Sequence, residues 1–147
     1  MKMHILSGGR LRMQKRVYLP GAAPEEMIEL PVSCFLFIHP YGNLLFDTGC
    51  HPKIAVNPEQ RWGPMARFVI PAMAADDNII SQLGRVNLTP DDIDIVVNLH
   101  LHCGHCGCNE FSPRRRSMCT GMSWPVPAIR RARARAIFKP NGTTRWR

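Results

Sequence analysis

The chain has 147 residues and an apolar fraction of 45%, enough for one ordinary domain with one core. It contains no apolar run of the roughly 18 residues that a membrane-spanning helix needs. The N-terminal MKMHILSGGRLRMQKR has no apolar segment ahead of its charges, so a cytoplasmic, reducing setting is expected, with the six cysteines as thiols or metal ligands rather than disulfides. The net charge of +8 is unevenly spread: residues 1–110 hold nine Lys/Arg and all eleven Asp/Glu, whereas residues 111–147 hold ten Lys/Arg and no acid. The basicity belongs to the tail, which argues against a basic binding face on the remainder.

In chain order, residues 3–6 (MHIL) predict a first strand, broken by Gly8-Gly9. Residues 29–38 (ELPVSCFLFI) predict a buried strand, with Pro31 near its start, where a ladder donor is dispensable. Tyr41, Gly42 and Asn43 supply a turn, and residues 43–49 (NLLFDTG) read as the returning strand of a hairpin. Residues 51–75 have weak periodicity and predict loop plus short helix. Residues 78–86 predict a helix with Ile79, Ile80 and Leu83 on one face. Thr89, Pro90, Asp91 and Asp92 form an N-cap, a Pro at N1 and early acids, the start of a further short helix. Residues 93–99 (IDIVVNL) predict a strand running into His100. No core-forming pattern follows residue 111, and no internal repeat is visible.

Residues 100–108, HLHCGHCGC, concentrate the chemistry. A strand end with histidines two apart, His100 and His102, points both rings one way, and a short turn brings round His105. Imidazoles at this density suit zinc. A second reading is thiol redox chemistry through Cys103-Gly104-His105-Cys106, a C-x-x-C that would need a helix N-terminus to lower a thiol pKa. The residues after Cys106 make a poor helix start, and no βαβ frame precedes the motif. A third reading is a small zinc-binding knuckle from Cys103, Cys106 and Cys108 with a histidine, for which Cys119 is the one later cysteine. The bland alternative is small cysteines filling space near a turn. An arginine-rich tail would attach to any polyanion, but only Trp124 and Trp146 interleave it, so no specific nucleic-acid reader is expected.

Taken together, Gly8-Gly9, ELPVSCFLF, NLLFDTGCHP, DDIDIVVNLHLH and HCGCNEF resemble the metallo-β-lactamase superfamily, and within it the N-acyl homoserine lactonases, over residues 1–111. The resemblance implies an α/β (α+β) fold, specifically the N-terminal half of an αββα sandwich, followed by a poorly structured basic tail at 112–147. It implies zinc-dependent opening of a lactone ring, with a small-molecule lactone as substrate and no membrane partner. The family motif H-x-H-x-D-H falls on His100, His102, Gly104 and His105, with Gly104 in place of the aspartate. The implied metal ligands are His100, His102 and His105, and Asp47 of LFDTG is implied as a supporting residue that orients a ligand. Relatives hold two zinc ions. With no carboxylate at Gly104, at most one, weakly held, is expected here, with impaired activity. The acid-free Arg/Ala/Pro bias of residues 112–147 is that of a GC-rich gene read out of frame, so a frameshifted, truncated product is the expectation.

Overall fold

The computed structural model describes residues 1–112 and 116–119, and the backbone of 137–138 and 144–145. Strands β1 (Lys2–Gln14), β2 (Met27–Ile38), β3 (Leu44–Phe46), β4 (Ile70–Pro71), β5 (Ile95–Asn98) and β6 (Arg116–Cys119) form one sheet in the order β4-β1-β2-β3-β5-β6. The β4-β1-β2-β3 part is antiparallel, whereas β5 runs parallel to β3, and β6 parallel to β5. Helices α1 (Pro58–Trp62), α2 (Ile79–Gly84) and α3 (Cys103–Cys106) are short. Strands β7 (Ile137–Phe138) and β8 (Thr144–Arg145) form a separate antiparallel pair. Among the described residues, no helix is long and apolar enough to cross a membrane.

Period-two alternation builds the core. Leu6, Cys34, Leu36, Leu45 and Val96 point to the same side of the sheet, where they pack against Ile79 and Leu83 of α2 and against Ile93 and Cys108. The expected face of α2 is therefore the one it buries, with Ile80 partly buried at its margin. Asn78 caps this helix, its side-chain oxygen accepting from the amides of Ile80 and Ser81 at 3.1 and 3.2 Å. The expected N-cap at Thr89 is present, closing with Asp92 into a capping box, but what it starts is a 3-10 turn at Pro90–Asp92. The parallel β3–β5 pairing is reached by a long crossover, residues 47–94, that carries all the intervening helical turns and β4.

Two expectations need correction. Gly8-Gly9 does not end the first strand. β1 continues to Gln14, and its pairing with β2 shifts register between Ser7 and Arg10, so the glycines form a bulge, with Gly9 at φ 112. The sheet also continues past residue 111, since Arg116–Cys119 adds β6 beside β5. That strand joins through main-chain pairing while Arg116 and Met118 stay exposed, which is why no core pattern announced it. Apart from β6, β7, β8 and Ser112, the expectation of a poorly structured tail falls on residues outside the described ones.

The bulge allows a close backbone crossing. Gly49, at φ 68, lies so near Gly8 that a Cβ on Gly49 would sit 2.4 Å from the Gly8 Cα and 2.6 Å from its carbonyl oxygen. The obstacle is backbone, which cannot swing aside as a side chain can. At this crossing the Cys50 amide donates to the Gly8 carbonyl at 2.7 Å. Gly49→Ala is therefore expected to lower unfolding stability by about 2–4 kcal/mol, combining left-handed strain with overpacking. Urea denaturation monitored by circular dichroism measures it, and a loss below about 0.5 kcal/mol would show the crossing to be loose.

Candidate metal centre

The histidine turn lies just beyond β5. Asn98 ends that strand, His102 is the N-cap of α3, and α3 consists of the tetrad Cys103-Gly104-His105-Cys106 itself. The tetrad is itself a single helical turn, and the helix goes no further than Cys106, in keeping with the poor helix start read in the residues after it. The structure brings the three histidines together. His100 Nε2 and His102 Nδ1 share a hydrogen bond at 2.9 Å, and the His100 ring centroid lies 4.4 Å from that of His102 and 4.0 Å from that of His105. His102 Nε2 is buried without a hydrogen-bond partner, an arrangement that leaves a lone pair or proton uncompensated. Burial, with help from the neighbouring His105 and His102, lowers the His100 pKa, which favours the neutral ring that a metal requires.

Asp47 is buried beside this cluster. Its Oδ2 lies 2.7 Å from His105 Nδ1, and its Oδ1 accepts from the Leu99 amide at 2.9 Å. A carboxylate on Nδ1 fixes ring orientation and leaves Nε2 as the atom available to a ligand. The His105 carbonyl is held as firmly, accepting from the Thr48 amide at 2.7 Å and from Asn98 Nδ2 at 2.9 Å. Asn109 completes the network, donating to Asn98 Oδ1 at 2.8 Å, with its own Oδ1 2.9 Å from Thr48 Oγ1. Thr48, Asn98 and Asn109 were not identified from the sequence, although each lies within or next to a quoted motif.

Gly104 is buried, and a Cβ there would meet Leu11, Val32 and Cys50 at 3.5–4.0 Å, ordinary contact distances. The site thus has room at this position but no carboxylate. Among the described residues, no three His, Cys, Asp or Glu side chains stand in a ready-made metal cage. The reason is visible in the mutual bond of His100 and His102: 2.9 Å between ring nitrogens is shorter than the roughly 3.3 Å separating two ligands on a tetrahedral zinc with Zn–N near 2.0 Å. The donor set, three neighbouring imidazoles, suits zinc. The cysteines offer poorer donors at neutral pH. Burial raises the Cys103 thiol, and burial, with smaller contributions from Cys103 and Asp47, pushes Cys106 up to about 11. Burial acts likewise on Cys108, raised to about 12, and on Cys34 and Cys50. These shifts oppose the redox reading, which needs a free thiolate.

A second constellation flanks the centre. His51 is buried and stacks on Phe111 at 5.2 Å, and its Nδ1 accepts from the Lys53 amide at 3.0 Å. The proton therefore sits on Nε2, 2.6 Å from Glu110 Oε1, which also receives Arg61 at 2.9 Å. Burial, and then the charge of Arg61, lowers the His51 pKa against the opposing pull of Glu110.

Comparison with known proteins places the fold. Residues 27–141 match the family model described as the metallo-beta-lactamase superfamily. The chain is 31% identical over 125 residues to the N-acyl homoserine lactonase AiiB of Rhizobium rhizogenes, covering 78% of this chain and 45% of that one. It is 32% identical over 110 residues to the N-acyl homoserine lactonase AiiA of Bacillus thuringiensis subsp. kurstaki, covering 74% and 44%. In structure it resembles an N-acyl homoserine lactone hydrolase solved with the product N-hexanoyl-L-homoserine at its catalytic metal centre, with a TM-score of 0.69, 28% identity and coverage of 79% and 47%. The fold alone is shared with the dizinc lactonase AidC, at 14% identity and a TM-score of 0.56. The chain spans a little under half the length of the curated relatives it matches.

Two outcomes follow from the titrating groups. Alkylation of Cys106 by iodoacetamide at pH 7 should run at least about tenfold slower than that of an unperturbed thiol of pKa near 8.5 and should accelerate towards pH 11, and that of Cys103 should be slowed in the same direction. Peptide mass spectrometry reads it, and fast alkylation at pH 7 would restore the redox reading. For His51, the folded ring binds a proton less readily than the unfolded one, which titrates near about 6.5. Stability is then fully present above that value and declines as pH falls below it towards the lowered folded pKa. The fall in melting temperature between about pH 7 and 5.5 should be smaller in His51→Gln, with the part due to His100 remaining.

Proposed function

The chain belongs to the metallo-β-lactamase superfamily, and from that we propose that it is a zinc-binding hydrolase of the N-acyl homoserine lactonase type, with a small lactone as substrate. The observation that carries this reading is the joining of His100, His102 and His105 in one cluster, with Asp47 gripping His105 from behind. The orphaned Nε2 of His102 supports it, because a buried imidazole nitrogen without a partner suits a ligand. His100, His102 and His105 would hold the zinc, which would supply Lewis-acid chemistry there. The chain's own residues do the rest. Asp47 keeps the His105 ring in one orientation, and the Thr48–Asn98–Asn109 network keeps its backbone from drifting. Burial keeps His100 neutral and able to donate its lone pair.

Gly104 limits this function. The carboxylate that relatives of this type place here by resemblance would bring a negative charge to the centre, and Gly104 brings none. We infer weak binding of a single zinc and low lactonase turnover for this chain, acting in a reducing compartment. Residues 112–147 enter this proposal only as a basic segment.

Titration of the purified chain with zinc, followed by calorimetry and metal analysis, should give about one ion per chain and lose it in His102→Ala. Gly104→Asp, which the backbone accommodates, should tighten zinc at least about tenfold and raise hydrolysis of an acyl homoserine lactone followed by acid release. Unchanged zinc affinity in both variants would remove the histidine turn from the metal site.

A further inference from the structure

We propose that Cys103 and Cys106 form a two-sulfur site for a soft monovalent metal ion, copper(I), beside the histidine cluster and separate from it. The two thiols occupy the first and last positions of α3 and so share one helical turn. Residues at this spacing are neighbours on one side of a helix, with Cβ atoms about 5–6 Å apart, close enough for two sulfurs to meet one ion. The electrostatics report the same proximity: after burial, Cys103 is the largest influence on the Cys106 thiol, ahead of Asp47 and Cys119. Packing does not account for this pair. Cys34, Cys50 and Cys108 are at most 2% exposed, whereas Cys103 and Cys106 are half-buried and stand outside the core cluster. The turn that carries them is fixed. The His102 carbonyl accepts from the amides of His105 and Cys106 at 2.9 and 3.1 Å and from the Cys106 thiol at 3.3 Å. Just past the turn, the Gly107 amide donates to the Gly49 carbonyl at 2.8 Å. A pair held in this way has little freedom to lose on binding.

Three features select the ion. The first is donor type: thiolates are soft and favour copper(I), whereas the neighbouring imidazoles are borderline donors that suit zinc. The second is donor number. Among the described residues, no three His, Cys, Asp or Glu side chains stand in a ready-made cage. Zinc in structural sites takes four ligands, whereas copper(I) is satisfied by two thiolates in a line. The third is the ground behind the pair, which is itself rich in sulfur. After burial, Cys103 is the largest influence on the Cys50 thiol. A Cβ on Gly9 would meet the Met73 sulfur at 3.0 Å and the Cys50 Cβ at 3.4 Å, so thioether and thiol line one corner. Such polarizable surroundings favour a soft ion over a hard one. Capture exchanges protons for metal. Burial keeps both thiols protonated at neutral pH. One copper(I) enters, two S–H bonds break, two S–Cu bonds form, two protons leave to solvent and no electron moves. The site takes no donor from the three imidazoles, so it stands whether or not they hold zinc.

Anaerobic titration of the full chain with copper(I), in competition with the chelator bicinchoninate, should load about one ion per chain. X-ray absorption at the copper edge should then show sulfur neighbours. Copper should also protect Cys103 and Cys106 of the parent chain from iodoacetamide at about pH 9, read by peptide mass spectrometry, a measurement that needs no variant. Cys103→Ser and Cys106→Ser should each weaken capture at least about tenfold while circular dichroism stays native. Cys119→Ser should capture copper as the parent does. His100→Ala should too, which separates this site from the zinc reading of the histidines. Nitrogen in place of sulfur at the copper, displacement by an equal concentration of zinc, no protection from alkylation, full capture in both serine variants of the pair, or loss of capture in Cys119→Ser or His100→Ala overturns the proposal.

Discussion

One buried carboxylate ties together backbone that is far apart in sequence. Asp47 leaves β3 in the left-handed region, at φ 59, where a residue with a side chain is held at a cost of order 1–3 kcal/mol. Its surroundings hold it there. The Asp47 amide donates to Val97 at 2.8 Å, one carboxylate oxygen takes the Leu99 amide, and the other meets His105. The ends of β3 and β5 and the helical turn α3 thus share a single anion. Without it, the Leu99 amide and the His105 ring would both lose a charged partner inside the protein.

Around that anion the chain is built from small residues because backbone meets backbone. Gly8 and Gly49 cross at a separation no side chain could enter, and Gly107 lies against Gly49 and His51, with its amide donating to the Gly49 carbonyl at 2.8 Å. Cys34, Cys50 and Cys108 fill the space beneath, where they act as compact apolar groups. Cys108 donates its thiol to the Cys50 carbonyl at 3.1 Å, a use in satisfying backbone rather than in redox exchange. The place of these three cysteines is thereby accounted for by packing.

What could be read from the sequence was local. The hairpin of β2 and β3, the capped α2 and the strand ahead of His100 follow from periodicity and turn residues, and the three histidines are close enough in the chain to be grouped by spacing alone. Asp47 was reached only through family resemblance, since its partners Leu99 and His105 lie some fifty residues away. The same distance hid His51 with Glu110 and Thr48 with Asn109, because pairing of this kind is written in tertiary geometry rather than in spacing. Gly8-Gly9 misled because glycine marks a bulge as readily as a strand's end. The helical turn over the C-x-x-C escaped because α3 is shorter than any pattern that periodicity can detect. β6 escaped because a strand recruited by main-chain pairing needs no apolar face.

The long crossover between β3 and β5 has a kinetic consequence. Residues 44–46 and 95–97 become neighbours only after the intervening segment has closed on itself, and loop-closure entropy must be met before that parallel pairing returns any contact energy. The hairpin of β1 and β2 has no such delay. Asp47 and His105 lie on opposite sides of the same closure, so the imidazole cluster gains its support only late in folding. Until then a nascent chain carries three loose histidines, open to any passing divalent cation, and its refolding rate should depend on when metal is added.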